Sequence, residues 1–125
     1  MKLRNLYLAN SIITLVLALG LILMTSVMVN LFGVNNGAET RTLSQLLGVG
    51  LVVSGMITLL AREVTDPMAR SAINFSNLIA DVLGVVVALN ATLTGVFGWF
   101  GWLLVVVYLL LALGFGYFQF LAPPQ

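Results

Sequence analysis

Long apolar stretches alternate with short polar ones along the chain, and the apolar stretches have the length of membrane spans. Leu6 to Val29 carries no charge, and at 1.5 Å per residue that run is long enough to cross the roughly 30 Å hydrocarbon layer of a bilayer. A second charge-free run between Arg41 and Arg62 predicts a helix over 41–61. The polar stretch Arg62 to Arg70 follows, and within it Asp66 before Pro67 has the form of a helix N-cap with proline at the first helical position. The third helix opens there, with a span of about 70–92. No charge occurs from Val82 to Gln125, a run too long for one helix, so the turn-like composition of Ala91 to Gly98 is taken as a boundary. A fourth helix then covers about 100–120 and stops at Pro123 and Pro124. The connection Phe32 to Thr40 holds Asn36-Gly37, a pair that favours positive φ, and Thr40 as a candidate cap. The expected fold class is all-α: a single domain over 1–125 forming an integral membrane bundle of four transmembrane helices.

Small and polar positions gather on one side of each predicted helix. With about 100° per residue, the face of the third helix centred on Asp81 holds Arg70, Asn74, Asn77, Gly84, Val85, Ala88, Thr92 and Gly95, while Ile79, Leu83 and Val86 lie opposite. The second helix has a stripe of Ser44, Gly48, Leu51, Gly55 and Thr58, and the first has Ser11, Thr14, Ala18 and Thr25. The fourth offers Gly98, Gly101, Ala112, Gly116 and Gln119, with Tyr108 at the edge. Lipid tails solvate leucine as well as a neighbouring helix does, so helices in a bilayer associate through small residues and interhelical hydrogen bonds. All four stripes are expected to turn inward, with Gly48, Gly55, Gly84, Ala88, Gly101 and Gly116 as the packing positions. The same stripes leave open a lined pathway for a solute.

Composition agrees with a chain that lives in lipid. Of 125 residues 61% are hydrophobic and 7% charged, against roughly 25% charged in a soluble domain, and the mean hydropathy is +1.13. Cysteine and histidine are both absent, which excludes disulfides, thiol nucleophiles, Cys-bound clusters and the commonest metal and haem ligand. No cofactor is expected. The net charge of +1 contains no basic patch for nucleic acid. Counting Lys and Arg in the short loops sets Lys2, Arg4, Arg62 and Arg70 on one side against Arg41 on the other. The positive-inside rule thus predicts both termini in the cytoplasm of a cell whose inner membrane the chain crosses, with Trp99, Phe100 and Trp102 as an outer aromatic belt. A cleaved signal peptide is the rival account of Lys2, Arg4 and the first apolar run. That run is too long and lacks an A-x-A site, so the span is expected to be retained.

Asp81 is the candidate for chemistry. It is the one ionisable residue within a predicted span, roughly 16 Å along the helix from Arg70 and so near the midplane. An ionised, unpaired carboxylate there costs about 2.5–3.5 kcal/mol or more. It either binds a proton or cation, assisted by Asn77 and Asn74 on the same face, or hydrogen-bonds a facing helix as a neutral structural group. Arg62, Glu63, Asp66 and Arg70 form either a docking surface for a cytoplasmic partner or a solvated connection that sets topology. Gly114-Phe115-Gly116 lacks the strand and lysine of a nucleotide-binding motif, and the triplets at Asn74 and Asn90 lie where glycosylation is not expected.

Leu46-Leu47-Gly48 with Leu60-Ala61-Arg62, then Gly101-Trp102-Leu103 and the terminal Tyr108-Leu109-Leu110-Leu111-Ala112-Leu113-Gly114-Phe115-Gly116-Tyr117-Phe118, give the chain a resemblance to a group of short bacterial membrane proteins with four predicted spans. The resemblance implies a four-helix bacterial inner-membrane protein and brings no activity with it. Small multidrug-resistance transporters are similar in length and span number, yet rely on a glutamate in the first helix, which has no acid here. The function expected is non-enzymatic: a membrane protein acting through helix contacts, as a homo-oligomer or as an accessory subunit of a larger membrane complex, with the lipid bilayer and other subunits as its partners. The alternative is a small oligomeric proton- or cation-coupled transporter built around Asp81.

Overall fold

The apolar runs fold as helices, and the polar segments end them. In the computed structural model, which describes residues 2–121, α1 is Leu3–Leu23, α2 Thr25–Leu31, α3 Ala38–Ala61, α4 Pro67–Leu93 and α5 Phe100–Gly116. A π-helical turn, Tyr117–Leu121, continues α5. The described residues are thus helical apart from short connections. Four helices are long and apolar enough to cross a membrane: α1, α3, α4, and α5 with its π turn. Pro123 and Pro124, expected to stop the last helix, lie outside the described residues.

The helix expected over 6–29 is broken. At Met24 the backbone leaves the helical region, with φ −122° and ψ 46°. The Thr25 hydroxyl donates to the carbonyl of Leu21 at 2.6 Å, the kind of back-bonding that bends helices. A straight helix would separate Gly20 and Met28 by about 12 Å along its axis. Here the Met28 sulfur lies 3.0 Å from where a Cβ on Gly20 would sit, and α2 packs against α3.

The turn after α2 also differs from expectation. Positive φ falls on Gly33 (73°), whereas Gly37 is at φ −95° and is itself the N-cap of α3. Thr40 lies inside α3 and is not a cap. Arg41 does the local work, donating from Nη1 to the carbonyl and the side-chain oxygen of Asn36, each at 3.3 Å. The sharp reversal is needed at Gly33 because the Phe32 carbonyl accepts the Gly98 amide at 2.7 Å, which ties the α2–α3 connection to the α4–α5 connection. At α4 the Asp66 side chain accepts the Ala69 amide at 3.3 Å with Pro67 in the first turn, as the sequence predicted.

Two antiparallel pairs make up the bundle: α1 with α3, and α4 with α5. Glycines let the helices approach. A Cβ on Gly48 would meet Ile22 at 2.8 Å, one on Gly55 would meet Leu15 at 2.6 Å, and one on Gly84 would meet the Tyr108 ring at 2.5 Å. At the end that holds the termini, a cluster of Leu3, Leu6, Tyr7, Ala61, Leu111 and Phe115 joins the pairs. At the far end α1 and α5 diverge around an apolar groove lined by Val16, Leu19, Leu23, Leu103 and Val107 among others. α3 and α4, although consecutive, make little contact and leave a second groove of about 410 Å³. Large apolar side chains such as Val16, Leu46, Leu83 and Leu110 cover the exterior.

Candidate functional site

The polar groups of the helix faces meet in the interior of the bundle. The Tyr7 hydroxyl of α1 donates to Asn74 Oδ1 of α4 at 2.6 Å, and Asn10 Nδ2 donates to Thr58 Oγ1 of α3 at 3.1 Å. All four residues are buried. Ser11, Thr14 and Ala18 continue the same inward face of α1, as the stripe predicted. Asp81 lies two turns beyond Asn74, about 10.5 Å further along α4, and Thr14 lies the same distance beyond Tyr7. These two residues therefore share a level in the bundle.

Asp81 is 5% exposed, and among the described residues no donor reaches its buried Oδ2. Tyr108 stands beside it. Its ring lies over Gly84, one turn of α4 from Asp81, a position any side chain at 84 would fill. Tyr108 also lines a cavity of about 160 Å³ in the far half of the bundle, with Thr40 and Ser44 as polar walls and Phe32, Phe97 and Leu104 as apolar ones.

The trio Asp81, Asn77 and Asn74 does not form one site. Asn74 is committed to Tyr7. Asn77, expected to assist Asp81, instead donates to the Ile73 carbonyl of its own helix at 2.9 Å and lines the α3–α4 groove with Ser54 and Ser76. The cause is geometric: four residues turn a helix by about 40° past a full circle, and because α3 stands off α4 that offset carries Asn77 into the groove. Tyr108, which the sequence set only at the edge of its helix's small face, is the side chain whose ring covers Gly84, one turn from Asp81.

Among the packing positions, Gly101 abuts Thr92 Oγ1 and Phe97, whereas Gly116 meets only Leu78 at an ordinary 3.5 Å. Ala88 is buried. Gly114, not among the expected contacts, takes Leu6 of α1 at 2.9 Å. It lies off the stripe of Gly101, Ala112 and Gly116, in a helix otherwise almost wholly apolar, so that stripe does not mark it.

The charged loop is tied down locally. Arg62 Nη1 donates to the Leu59 carbonyl at 2.7 Å, Arg70 Nε to the Val64 carbonyl at 2.6 Å, and Asp66 caps α4. Glu63 pairs with Arg4 at 3.1 Å, where both side chains are exposed and such a pair contributes about 0–1 kcal/mol. These contacts close the α3–α4 turn and fasten it to α1.

Comparison with protein-family models, curated proteins and solved structures finds no match.

Proposed function

We propose that the chain is a non-enzymatic multi-pass inner-membrane protein, with both termini cytoplasmic, that works through helix–helix contacts as a homo-oligomer or as an accessory subunit of a larger membrane complex. One observation carries this reading. On an exterior built mostly of large apolar side chains, the α3–α4 groove, walled in part by Val53, Ile57 and Ile73, gathers the small and polar residues Gly50, Ser54, Ala72, Ser76, Asn77 and Ala80. Acyl chains satisfy leucine but not a hydroxyl or a carboxamide, whereas a transmembrane helix brings both close backbone approach and hydrogen-bond partners. The groove is thus the part of the surface for which a helix is a better neighbour than lipid. The apolar exterior supports insertion, and Lys2, Arg4, Arg62 and Arg70 at one end against Arg41 at the other support the orientation.

The absence of cysteine gives a direct test. Ser76→Cys in the groove and Leu83→Cys on an exposed α4 face would be cross-linked in native membranes. Adducts are expected from position 76, to a second copy or to a distinct subunit, and not from position 83. Equal labelling of both, or of neither, sinks the reading. Impermeant thiol reagents on Asn36→Cys and Thr65→Cys test the orientation: only position 36 should react from outside intact cells.

A further inference from the structure

We propose that Asp81 is a proton-binding site in the middle of the bundle, screened by Tyr108 from the far-half cavity and sealed toward the terminal end by the Tyr7–Asn74 pair and the Phe115 cluster. This goes beyond helix association and gives the interior a role of its own.

A buried carboxylate persists when donors or a counter-charge compensate it, and uncompensated it costs about 2.5–3.5 kcal/mol or more at bilayer depth. Oδ2 has no donor among the described residues. No side-chain cation of the packed helices lies at its level. α1 carries none after Arg4, α2 and α5 carry none, and the basic residues of α3 and its cap are Arg41 and Arg62, near the two ends. On α4 itself Arg70 lies three turns away and is engaged with the Val64 carbonyl. The titratable groups facing this region are Tyr7 from α1, whose proton is given to Asn74, and Tyr108 from α5. α2 and the interior of α3 contribute none. A proton is the cation that fits, because it turns the carboxylate into a neutral acid that supplies its own donor.

Access is asymmetric. Toward the terminal end the interior is filled, with Tyr7 at 1% and Phe115 at 0% exposure and their rings 6.1 Å apart. Toward the far end the packing opens into the cavity of about 160 Å³ that Tyr108 lines. The α3–α4 groove reaches Ala80 and Asn77 but opens on the apolar exterior, so the route assigned to the proton is the far-side one, past the Tyr108 ring on Gly84.

Infrared spectroscopy of the full chain in lipid nanodiscs tests this. A protonated-carboxyl carbonyl band is expected at neutral pH, lost on alkaline titration, shifted in Asp81→Glu and absent in Asp81→Asn. Wild-type protein showing only carboxylate at neutral pH, or a band that survives in a folded Asp81→Asn, overturns the site. Exchange of a buried proton is governed by local opening, so Tyr108→Leu should speed deuterium exchange of the band by about tenfold or more. Unchanged exchange overturns the far-side route. The spectrum reads the carboxyl whether or not chains associate, so its failure leaves the helix-contact reading standing, and failed cross-linking leaves Asp81 untouched.

Discussion

At Gly84 a single hydrogen in place of a methyl decides how closely α4 and α5 approach. An added Cβ would sit 2.5 Å from the Tyr108 ring, and a ring held in a packed seam moves only by disturbing its neighbours. Gly84→Ala should therefore lower stability by about 1–3 kcal/mol. Gly50→Ala, which meets nothing within 4 Å, should be neutral or raise it by up to ~1 kcal/mol through helix propensity. Thermal unfolding in detergent measures both, and equal effects would show that Gly84 is not a contact position. The Tyr7–Asn74 bond is tested by a double-mutant cycle of Tyr7→Phe with Asn74→Ala. A coupling of about 0.6–1.7 kcal/mol is expected for a hydrogen bond between membrane helices, and zero coupling would remove it from the packing account. These residues were unevenly legible in the sequence. The inward turn of Asn74 and Asp81 follows from helical spacing, since their neighbours on that face are small or polar. That Asn74 is held by a tyrosine, and that Asn77 bonds its own backbone, depends on which helix stands opposite, and spacing within one helix carries no such information.

Among the elements, the connection between α2 and α3 ties the far end through the Gly98 amide on the Phe32 carbonyl and through the Phe32 ring, which packs on Phe97 and Phe100. Gly33 makes this possible: its φ of 73° is a conformation that side chains other than glycine adopt at a cost, and a Cβ there would lie 3.0 Å from the Gly98 nitrogen. Gly33→Ala should destabilise by about 1 kcal/mol or more, with loosened exchange protection at Gly98. Gly37→Ala, at negative φ with open space around it, loses only a favoured N-cap residue and should leave the exchange protection at Gly98 unchanged. Similar outcomes for the two variants would mean that the link between connections has no weight. Asn36-Gly37 drew attention in the sequence because that pair is a frequent turn former, yet the reversal sits where two loops meet, a tertiary requirement that local composition does not express. The break at Met24 was hidden for a related reason. The run 6–29 is apolar enough to satisfy a span from end to end, and the hydroxyl that bends it belongs to Thr25, a residue equally at home in a straight helix.

For the molecule as a whole, the lengths of the apolar runs carried the number of span-length helices, four, though not the break that makes α2 a fifth helix, because a stretch without charge and of bilayer length has few other ways to satisfy its backbone. The pairing is carried in part. Consecutive spans are the default neighbours, and α1 with α3 and α4 with α5 follow that default, but α3 and α4 stand apart, since the glycines that admit close approach lie on the other two seams. The bundle is accordingly two hairpin-like halves that meet through Tyr7, Asn74, Leu6, Gly114 and Phe115 at one end and through Phe32 and Gly98 at the other. Each half already buries its own seam, so the covalent link over 62–66 is not what keeps the halves together. Fragments 1–64 and 65–125, co-expressed from separate reading frames, should therefore recover as a complex in mild detergent. Phe115→Ala in the second fragment removes a ring at 0% exposure and with it about 3–5 kcal/mol of packing, concentrated where the halves touch. That variant should weaken or abolish co-purification while α4 and α5 remain helical by circular dichroism. Fragments that fail to associate without any substitution would mean that the short polar link, rather than the Tyr7–Phe115 contact, holds the bundle closed.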